Sequence, residues 1–306
     1  MIDINRILCP IDFSVFSDHA LIYAMKMAKW YGAQLRVLHV MPPLPASSTS
    51  ELAGMSRQLT VKNLKSAIER HRLPEVDVVA DLVESDEPVS RILKAAEAYD
   101  VDLIVTGSHG RSGIQRVLLG SVVEALLHRS GRPVLTIPSH VDPDRLAAGA
   151  SFRGIICAVD FSKASLEALA HAFSIAEEAD GKLTLLHVIE MPPELEQPPE
   201  PPDYNIAPIR AEAEAERLTR LRALIPEHAR DYCTVQAEVL EGGASRQILR
   251  EADAQHTDLI VLGVHGRNAF DLAFFGSNSK DVIRQAHCPV LVVPAGRRSR
   301  SLRVAS

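Results

Sequence analysis

The chain has 306 residues, of which 46% are hydrophobic and 24% are charged, and its formal net charge is −6 at pH 7. These values are typical of globular domains, and the acidic balance argues against a general nucleic-acid binder, because phosphate contacts need clustered Lys and Arg. No apolar run approaches the ~18–20 residues of a membrane span, and Asp3 and Arg6 interrupt the first apolar residues, which argues against a secretory signal.

The first half of the chain predicts strands and helices in strict alternation. A short apolar strand, residues 7–11, ends at Asp12, and the next helix has Ser14 or Ser17 as its N-cap and Gly32 as its C-cap. The following elements are strand 35–40, a polar helix ending near His71, strand 76–82, helix 89–99, strand 103–106, a glycine-containing loop, a helix starting near Ser121 and strand 133–137.

The second half repeats this order. The predicted elements are strand 155–159, a helix ending at Asp180, strand 183–188, a helix ending near Leu224, strand 234–240, a helix, strand 259–262, a loop, a helix and strand 290–293. Asp12 and Asp160 lie 148 positions apart, and from the glycine loop onward the spacing is 156, as for Gly107 and Gly263. A period near 150 residues indicates a duplicated domain, because solenoid repeats are only ~20–50 residues long.

The alternation of strands and helices indicates an α/β fold. Parallel strands joined by right-handed crossovers form a sheet with helices on both faces, and the near-continuous Ile, Leu and Val of the strands agree with burial on both sides. We therefore expect one domain over residues 1–140 and a second over residues 152–296. Residues 141–151 read as a linker and residues 297–306 as a basic tail.

A glycine motif follows a buried strand in each half. Residues 107–121 and 263–277 both read G-x2-G-x9-G-S, a spacing found neither in P-loops nor in dinucleotide-binding loops. Its first two glycines allow a tight turn and close backbone approach to a ligand. Its last Gly-Ser opens a helix whose N–H groups and dipole favour a phosphate.

The aspartates that end the first strand of each half, Asp12 and Asp160, fall at the same edge of the sheet as the glycine motifs. In parallel α/β sheets, ligands bind beyond the carboxyl ends of the strands, where the strand order reverses. An alternative role for the two aspartates is that of acids at a helix N-terminus. Their shared position at the end of a first strand favours the ligand site.

The chain resembles the universal stress proteins, ATP-binding branch, over essentially the whole of both halves. The resemblance is carried, in order, by Pro-Ile-Asp-Phe-Ser, Leu-His-Val, Gly-Ser-His-Gly-Arg-Ser, Gly-Ser and Arg-Pro-Val-Leu. It implies two tandem open five-stranded parallel sheets of strand order 3-2-1-4-5, of the adenine-nucleotide alpha-hydrolase-like type. It also implies that the glycine motif, joined to the first-strand Asp, binds ATP, ADP or AMP together with magnesium.

The resemblance implies corresponding cofactor-binding positions in the two halves. In the first half, the purine would contact Pro10, Ile11, Asp12 and Val40, and the ribose and phosphates would lie around Gly107, His109, Gly110, Arg111, Ser112, Gly113, Gly120, Ser121, Val122 and Val123. In the second half, the counterparts are Ala158, Val159, Asp160 and Val188, followed by Gly263, His265, Gly266, Arg267, Asn268, Ala269, Gly276, Ser277, Asn278 and Ser279.

Four histidines lie near these positions. His39 and His187 are expected to be structural residues packed at a strand edge. For His109 and His265, contact with ribose or phosphate and fixing of the loop stay open as alternatives. The Glu and Arg residues of the segment 211–222 alternate at helical spacing and are expected to form a solvated face.

The four cysteines form no C-x-x-C pair. Cys9 and Cys157 fall inside predicted strands, where a free cysteine acts as a small apolar residue. This pattern suits a reducing cytoplasm.

Catalysis is supported less well than binding. The glycine motifs contain no Lys, the usual charge neutraliser of phosphoryl transfer, for which Arg111 and Arg267 partly substitute. The resemblance implies a nucleotide-dependent sensor or regulator of the stress response with slow or absent hydrolysis. An enzyme (a slow ATPase or an adenylate-forming enzyme) and a nucleotide-free interaction scaffold stay open. The lack of glycine just after Asp12 counts against adenylation, and two intact motifs count against the scaffold.

We expect the last strand of each half to lie at the edge of its sheet; these strands are residues 133–137 and 289–293. An edge strand has to pair with another strand or be protected from pairing. The resemblance implies that these edges pair antiparallel within one chain and that two chains form a homodimer. Neither nucleic acid nor membrane is expected as a partner.

The two halves differ near the expected nucleotide. Gly242-Gly243-Ala244 in the second half corresponds to Asp86-Glu87-Pro88 in the first, whose carboxylates would repel phosphates. Ser277-Asn278-Ser279 also offers more polar groups than Ser121-Val122-Val123. We therefore expect the second half to bind nucleotide more tightly.

Overall fold

The computed structural model of the chain describes residues 2–45, 47, 49–109, 119–138, 141, 152–190, 207–264 and 276–296. The chain divides into two compact units, one formed by residues 3–150 and the other mainly by residues 151–306. Within the described ranges, none of the helices has the length and apolar character needed to cross a bilayer.

The first unit alternates strands and helices. Its elements are β1 (Arg6–Ile11), α1 (Val15–Tyr31), β2 (Gln34–Met41), α2 (Ser50–Arg70), β3 (Val78–Glu84), α3 (Pro88–Ala98), β4 (Leu103–Gly107), α4 (Ser121–Arg129) and β5 (Val134–Ile137). The strands lie in the order β3-β2-β1-β4-β5 and neighbouring strands are parallel. The predicted order 3-2-1-4-5 is confirmed.

The second unit repeats this architecture. Its elements are β6 (Gly154–Ala158), α5 (Lys163–Ala179), β7 (Lys182–Ile189), α6 (Ala207–Arg222), a 3-10 helix (Glu227–Asp231), β8 (Thr234–Glu241), α7 (Ala244–Ala254), β9 (Leu259–Val264), α8 (Ser277–Gln285) and β10 (Val290–Pro294). The order β8-β7-β6-β9-β10, again parallel, corresponds to that of the first unit.

The centre of each sheet is buried on both faces. Ile7, Leu8 and Ile104 of the first unit are fully buried, as are Ile156 and Ile260 of the second. This burial explains why the sequence of the strands is continuously apolar rather than alternating. The helices cover both faces, so the open edge at the carboxyl ends of the strands is where polar groups collect.

The ends of α1 follow from local chemistry. The Ser14 hydroxyl accepts a hydrogen bond from the Ser17 N–H, so Ser14 is the N-cap and Ser17 is not. Gly32 ends the helix in the left-handed region at φ 62°, as predicted. In the second unit, Ser162 caps α5 in the same way, and Asp180 takes the left-handed position at φ 48°.

The third strand of the first unit begins later than the sequence predicts. Residue 76 was expected to start it, but the Val76 N–H donates to the Leu73 carbonyl at 3.1 Å, so this residue belongs to a turn. β3 begins at Val78 and extends to Glu84. Val76 is buried all the same, which is why its apolar character resembles that of a strand residue.

All four cysteines are free and buried. Cys9 and Cys157 lie in β1 and β6, where burial raises the pKa of both thiols well above its usual range. Both side chains are therefore protonated, and they pack as small apolar residues.

Candidate functional site

The turn between β1 and α1 fixes Asp12. The backbone N–H and the hydroxyl of Ser14 both donate to Asp12 Oδ1, at 3.0 and 2.5 Å, and the Asp12 N–H donates to Ser17 Oγ at 3.3 Å. The carboxylate therefore supports the start of α1 and stands at the carboxyl end of β1. Asp12 can therefore be both an acid at a helix N-terminus and a residue of the ligand site, the two roles that the sequence left open.

The second unit repeats the turn around Asp160. The Ser162 N–H donates to Asp160 Oδ1 at 2.9 Å, and the Asp160 N–H donates to Ser165 Oγ at 3.3 Å. Burial alone would raise the pKa of this carboxyl, but hydrogen bonds with Ser162 and Ser165 outweigh it and lower the pKa. Asp160 is therefore a carboxylate at neutral pH and a weak proton acceptor.

An aromatic residue in the left-handed region follows each aspartate. Phe13 has φ 64° and Phe161 has φ 61°, values that are uncommon for bulky side chains and cluster at functional sites. Their rings lie 4.3 and 4.7 Å from the rings of His39 and His187. Apart from the repeated Asp-Phe-Ser, no sequence pattern indicates this backbone conformation.

His39 and His187 each hold this turn in place. The Nδ1 atom of each lies 2.7 Å from the backbone carbonyl oxygen of the residue before the aspartate. A carbonyl oxygen only accepts, so Nδ1 carries the proton. The prediction that both histidines are structural is confirmed.

A cleft of about 630 Å³ opens at the carboxyl ends of β6, β7 and β9. It brings together these predicted residues: Ala158, Val159, Asp160, Val188, Gly263, Asn278 and Ser279. Its further lining residues, which the sequence analysis did not single out as ligand contacts, are Phe161, Ser165, Leu186, His187, Ile189, Glu190, Arg217, Arg220, Ala244, Ile248, Leu262 and Val282.

Helix α6 supplies two cations to the wall of this cleft. Arg220 places its Cζ 4.1 Å from the centre of the Phe161 ring, and Arg217, which also lines the cleft, is 3.1 Å from Glu216 of the same helix. Segment 211–222 forms a solvated face as predicted, with Arg220 exposed, and Arg217 and Arg220 of this face also border the cleft. Helical periodicity identifies the polar face of a helix but does not show whether that face borders bulk solvent or a cleft.

Helix α8 starts at the opposite wall without a side-chain cap. Gly276 is its N-cap and offers no side-chain hydrogen bond to the first turn, whose N–H groups have no intrahelical acceptors. Among the described residues, none has an atom within 4 Å of a Cβ placed on Gly276. An uncapped helix start facing an open cleft favours an anion.

The first glycine of each motif packs against a helix. A Cβ on Gly107 would lie 2.7 Å from the Phe16 carbonyl oxygen, and one on Gly263 would overlap the backbone of Ala164. The strand before the loop therefore touches the first turn of α1 or α5. Packing gives both glycines a second role beside the predicted approach to a ligand, and Gly263 also lines the cleft.

The comparisons with known proteins agree with the two-unit architecture. The family model described as the universal stress protein family matches residues 3–138 and 151–294. The chain belongs to the universal stress protein family. A universal stress protein of Mycolicibacterium smegmatis is 29% identical over 306 residues, which covers 94% of this chain and 96% of that protein. The crystal structure of a universal stress protein from Archaeoglobus fulgidus superposes with a TM-score of 0.67 at 25% identity, covering 95% of this chain and 99% of the other.

In this universal stress protein, the start of α8 also carries a contact across the cleft. The Asn278 side-chain amide donates to Glu190 Oε1 at 2.6 Å. Asn278 is predicted to be a polar group available to a nucleotide, and in the structure its side-chain amide is paired with a carboxylate. Glu190 was not among the predicted site residues, because an acid directly before a proline-rich stretch has no distinguishing pattern.

The first-unit cleft differs from that of the second unit. It has a volume of about 460 Å³, and of the predicted residues its described lining contains Ile11 alone, together with Phe13 and Ser17 of the turn and Ala67 and Arg70 of α2. Ile11, Phe13 and Ser17 are the counterparts of Val159, Phe161 and Ser165. The remaining predicted positions are a buried Pro10, a half-buried Val40 at the end of β2, and Gly120 with Ser121, Val122 and Val123 at the start of α4. Like Gly276, Gly120 caps its helix without a side chain.

His109 stands where β4 leads into the glycine loop. Its Nδ1 atom lies 2.9 Å from Ser108 Oγ, which fixes the ring. Its Nε2 atom is buried and has no hydrogen-bond partner in the part of the chain that the structure describes. One ring nitrogen thus supports the start of the loop, which is one of the two roles considered for this residue; contact of the other nitrogen with a nucleotide stays a prediction.

The remaining predicted residues lie outside the described residues. These are Gly110, Arg111, Ser112, Gly113, His265, Gly266, Arg267, Asn268 and Ala269. Over the described ranges, no group of three or more His, Cys, Asp or Glu side chains is placed to hold a metal ion.

Proposed function

We propose that this universal stress protein binds an adenine nucleotide in each unit and acts as a nucleotide-dependent sensor or regulator of the stress response. The observation that carries the proposal is the cleft of about 630 Å³ that gathers Asp160, Val188, Gly263 and Asn278 at the carboxyl ends of the strands. Its size falls within the ~300–1,000 Å³ of small-molecule sites. Ligands of open α/β sheets bind at this edge.

The two walls of the cleft suit the two ends of a nucleotide. Ala158, Val188 and Leu186 give an apolar floor for a purine beside the Asp160 carboxylate, as the family resemblance implies. The uncapped start of α8, where no described residue crowds Gly276, suits the phosphates. Magnesium, expected with the nucleotide, takes phosphate oxygens and one or two carboxylates, and Asp160 and Glu190 are the carboxylates that line this cleft.

Slow or absent hydrolysis is part of the proposal. The lowered pKa of Asp160 makes this carboxylate a weak general base, since efficient bases have a pKa near the working pH. The described lining of the cleft contains no lysine, and its two arginines, Arg217 and Arg220, lie on α6 rather than at the start of α8. Each missing transition-state donor is worth ~2.7–4 kcal/mol of barrier, which favours a sensor over a phosphoryl-transfer enzyme.

Mass analysis of the nucleotide released from purified, heat-denatured protein, followed by a turnover assay with labelled ATP, tests the proposal. We expect an adenine nucleotide and turnover far below the ~1–100 s⁻¹ of kinases. Steady turnover near one per second that is lost in the Asp12→Ala/Asp160→Ala double variant would favour the ATPase instead. A protein that neither retains nor binds any adenine nucleotide would favour the scaffold.

We also propose that the protein works as a homodimer of tandem chains in the cytoplasm. The four buried free thiols support a reducing compartment.

A further inference from the structure

In the second-unit cleft, a hydrogen bond links the residue after β7 to the start of α8. Asn278 Nδ2 donates to Glu190 Oε1 at 2.6 Å across a sequence separation of 88 residues. Glu190 directly follows β7, and Asn278 is the second residue of α8. Both side chains line the cleft, so the bond lies where a ligand has to pass or rest.

This bond fixes a carboxylate beside the proposed phosphate position. The start of α8 attracts negative charge because its first N–H groups are unpaired and its dipole is positive at that end. Glu190 already supplies one negative charge to that region through Asn278. A phosphate placed there is therefore attracted by the helix and repelled by the carboxylate, and the repulsion grows with the charge of the phosphate chain.

The first unit lacks both members of this pair. By the repeat spacing, Pro42 stands where the second unit has Glu190, and Val122 stands where it has Asn278. Val122 is likewise the second residue of its helix, α4. Neither side chain carries a charge or a hydrogen-bond donor, so the first unit lacks the counterpart of this carboxylate at the start of its helix.

We propose that Glu190, positioned by Asn278, is a specificity-determining residue that makes the second-unit cleft favour nucleoside monophosphates over triphosphates when no divalent cation is present. This selectivity rests on the nucleotide binding proposed above. It gives the second unit a preference for the shorter phosphate chains through a contact that the first unit lacks. It also revises the expectation that the polar start of α8 simply strengthens binding.

Calorimetric titration of the full chain with AMP and with ATP, in EDTA and at low salt, tests the proposal. Glu190→Gln keeps the shape and the hydrogen bond but removes the charge. We expect it to raise the second-site affinity for ATP on the order of tenfold and that for AMP about threefold or less. Glu214→Gln is the matched control, because Glu214 is exposed on α6 and does not line the cleft.

Two further measurements make the test specific for charge. Asn278→Ala releases the carboxylate from the start of α8 and should give part of the gain of Glu190→Gln for ATP. Raising the salt to about 0.5 M should reduce the difference between wild type and Glu190→Gln, because exposed charges are screened. The first-unit site, unchanged in all variants, is the internal reference.

The outcomes separate the selectivity from the binding itself. An equal gain for AMP and ATP, no gain, or a gain that persists at high salt would overturn the role of Glu190 while leaving nucleotide binding intact. If the wild-type chain binds neither AMP nor ATP, the proposed function fails and the selectivity fails with it. Melting temperatures of the variants close to that of wild type show that the fold is kept.

Discussion

Replacing Gly263 by alanine should destabilise the second unit sharply. A Cβ at this position would overlap the carbonyl carbon and oxygen of Ala164 and the N–H of Ser165, all backbone atoms of the first turn of α5. Backbone atoms cannot rotate away as a side chain can, so the helix has to move. Overpacking of this kind costs ~1–3 kcal/mol, and the backbone contact places Gly263→Ala near the upper end.

Alanine substitutions at two other glycines of the motifs serve as comparisons for this loss of stability. A Cβ at Gly107 would lie 2.7 Å from the Phe16 carbonyl oxygen, a smaller overlap, and we expect a loss nearer the lower end of that range. A Cβ at Gly276 would meet none of the described residues within 4 Å. The expected loss comes from helix capping, because alanine is a weaker N-cap than glycine. Gly276→Ala should therefore lower the free energy of unfolding by less than about 1 kcal/mol.

Thermal unfolding by calorimetry, which separates transitions of the two units, measures the series. In a domain of this size, 1 kcal/mol lowers the melting temperature by roughly 2–4 °C, so Gly263→Ala should lower the second-unit transition by roughly 4–10 °C. Gly276→Ala should leave that transition nearly unchanged and weaken nucleotide binding instead. If Gly276→Ala destabilises as much as Gly263→Ala, the steric reasoning is refuted.

Three further predictions concern pH, His109 and assembly. Because folding lowers the pKa of Asp160, its carboxylate stabilises the fold above the unfolded-state pKa of ~3.9, and this contribution is lost as the pH falls through the folded-state pKa. In urea unfolding, Asp160→Asn should therefore lose less stability below about pH 4 than wild type. Identical dependence of stability on pH in the two proteins would contradict this. His109→Phe removes a buried Nε2 without a described partner and also the contact between Nδ1 and the buried Ser108 hydroxyl, so it should cost about 1–3 kcal/mol of stability. It should also reduce the melting shift that ATP gives the first unit; an undiminished shift would exclude His109 from the site. Sedimentation should give a particle of twice the 33.4 kDa chain mass, and a monomer at all concentrations would contradict the homodimer.

The fold could be predicted from the sequence because its signals are periodic and occur twice. The constant spacing between residues such as Asp12 and Asp160 identified two equivalent units, and apolar strands alternating with capped helices identified a parallel sheet. The strand order came from the family resemblance. The error at the start of β3 arose because Val76 is buried within a turn, and burial alone does not distinguish a turn from a strand.

Residues of the candidate site could be predicted from the sequence only where they belong to a recognisable motif. Asp160 and the start of α8 were found from such patterns, whereas Glu190, Arg217 and Arg220 were missed because charged residues on a loop or a helix face look solvated in sequence. The packing role of Gly263 was missed for a related reason. A glycine signals that a Cβ does not fit but does not say whether a ligand or a helix excludes it.

Calorimetric titration of Mg-ATP into the wild-type chain and the Gly276→Glu variant tests the central claim most directly. Among the described residues, none obstructs a Cβ at Gly276, and the carboxylate of the larger side chain would occupy the start of α8. We expect two binding events in wild type and the loss of the second-unit event in the variant. Two unchanged binding events in Gly276→Glu, or no binding to wild type, would contradict a nucleotide site at the carboxyl ends of these strands.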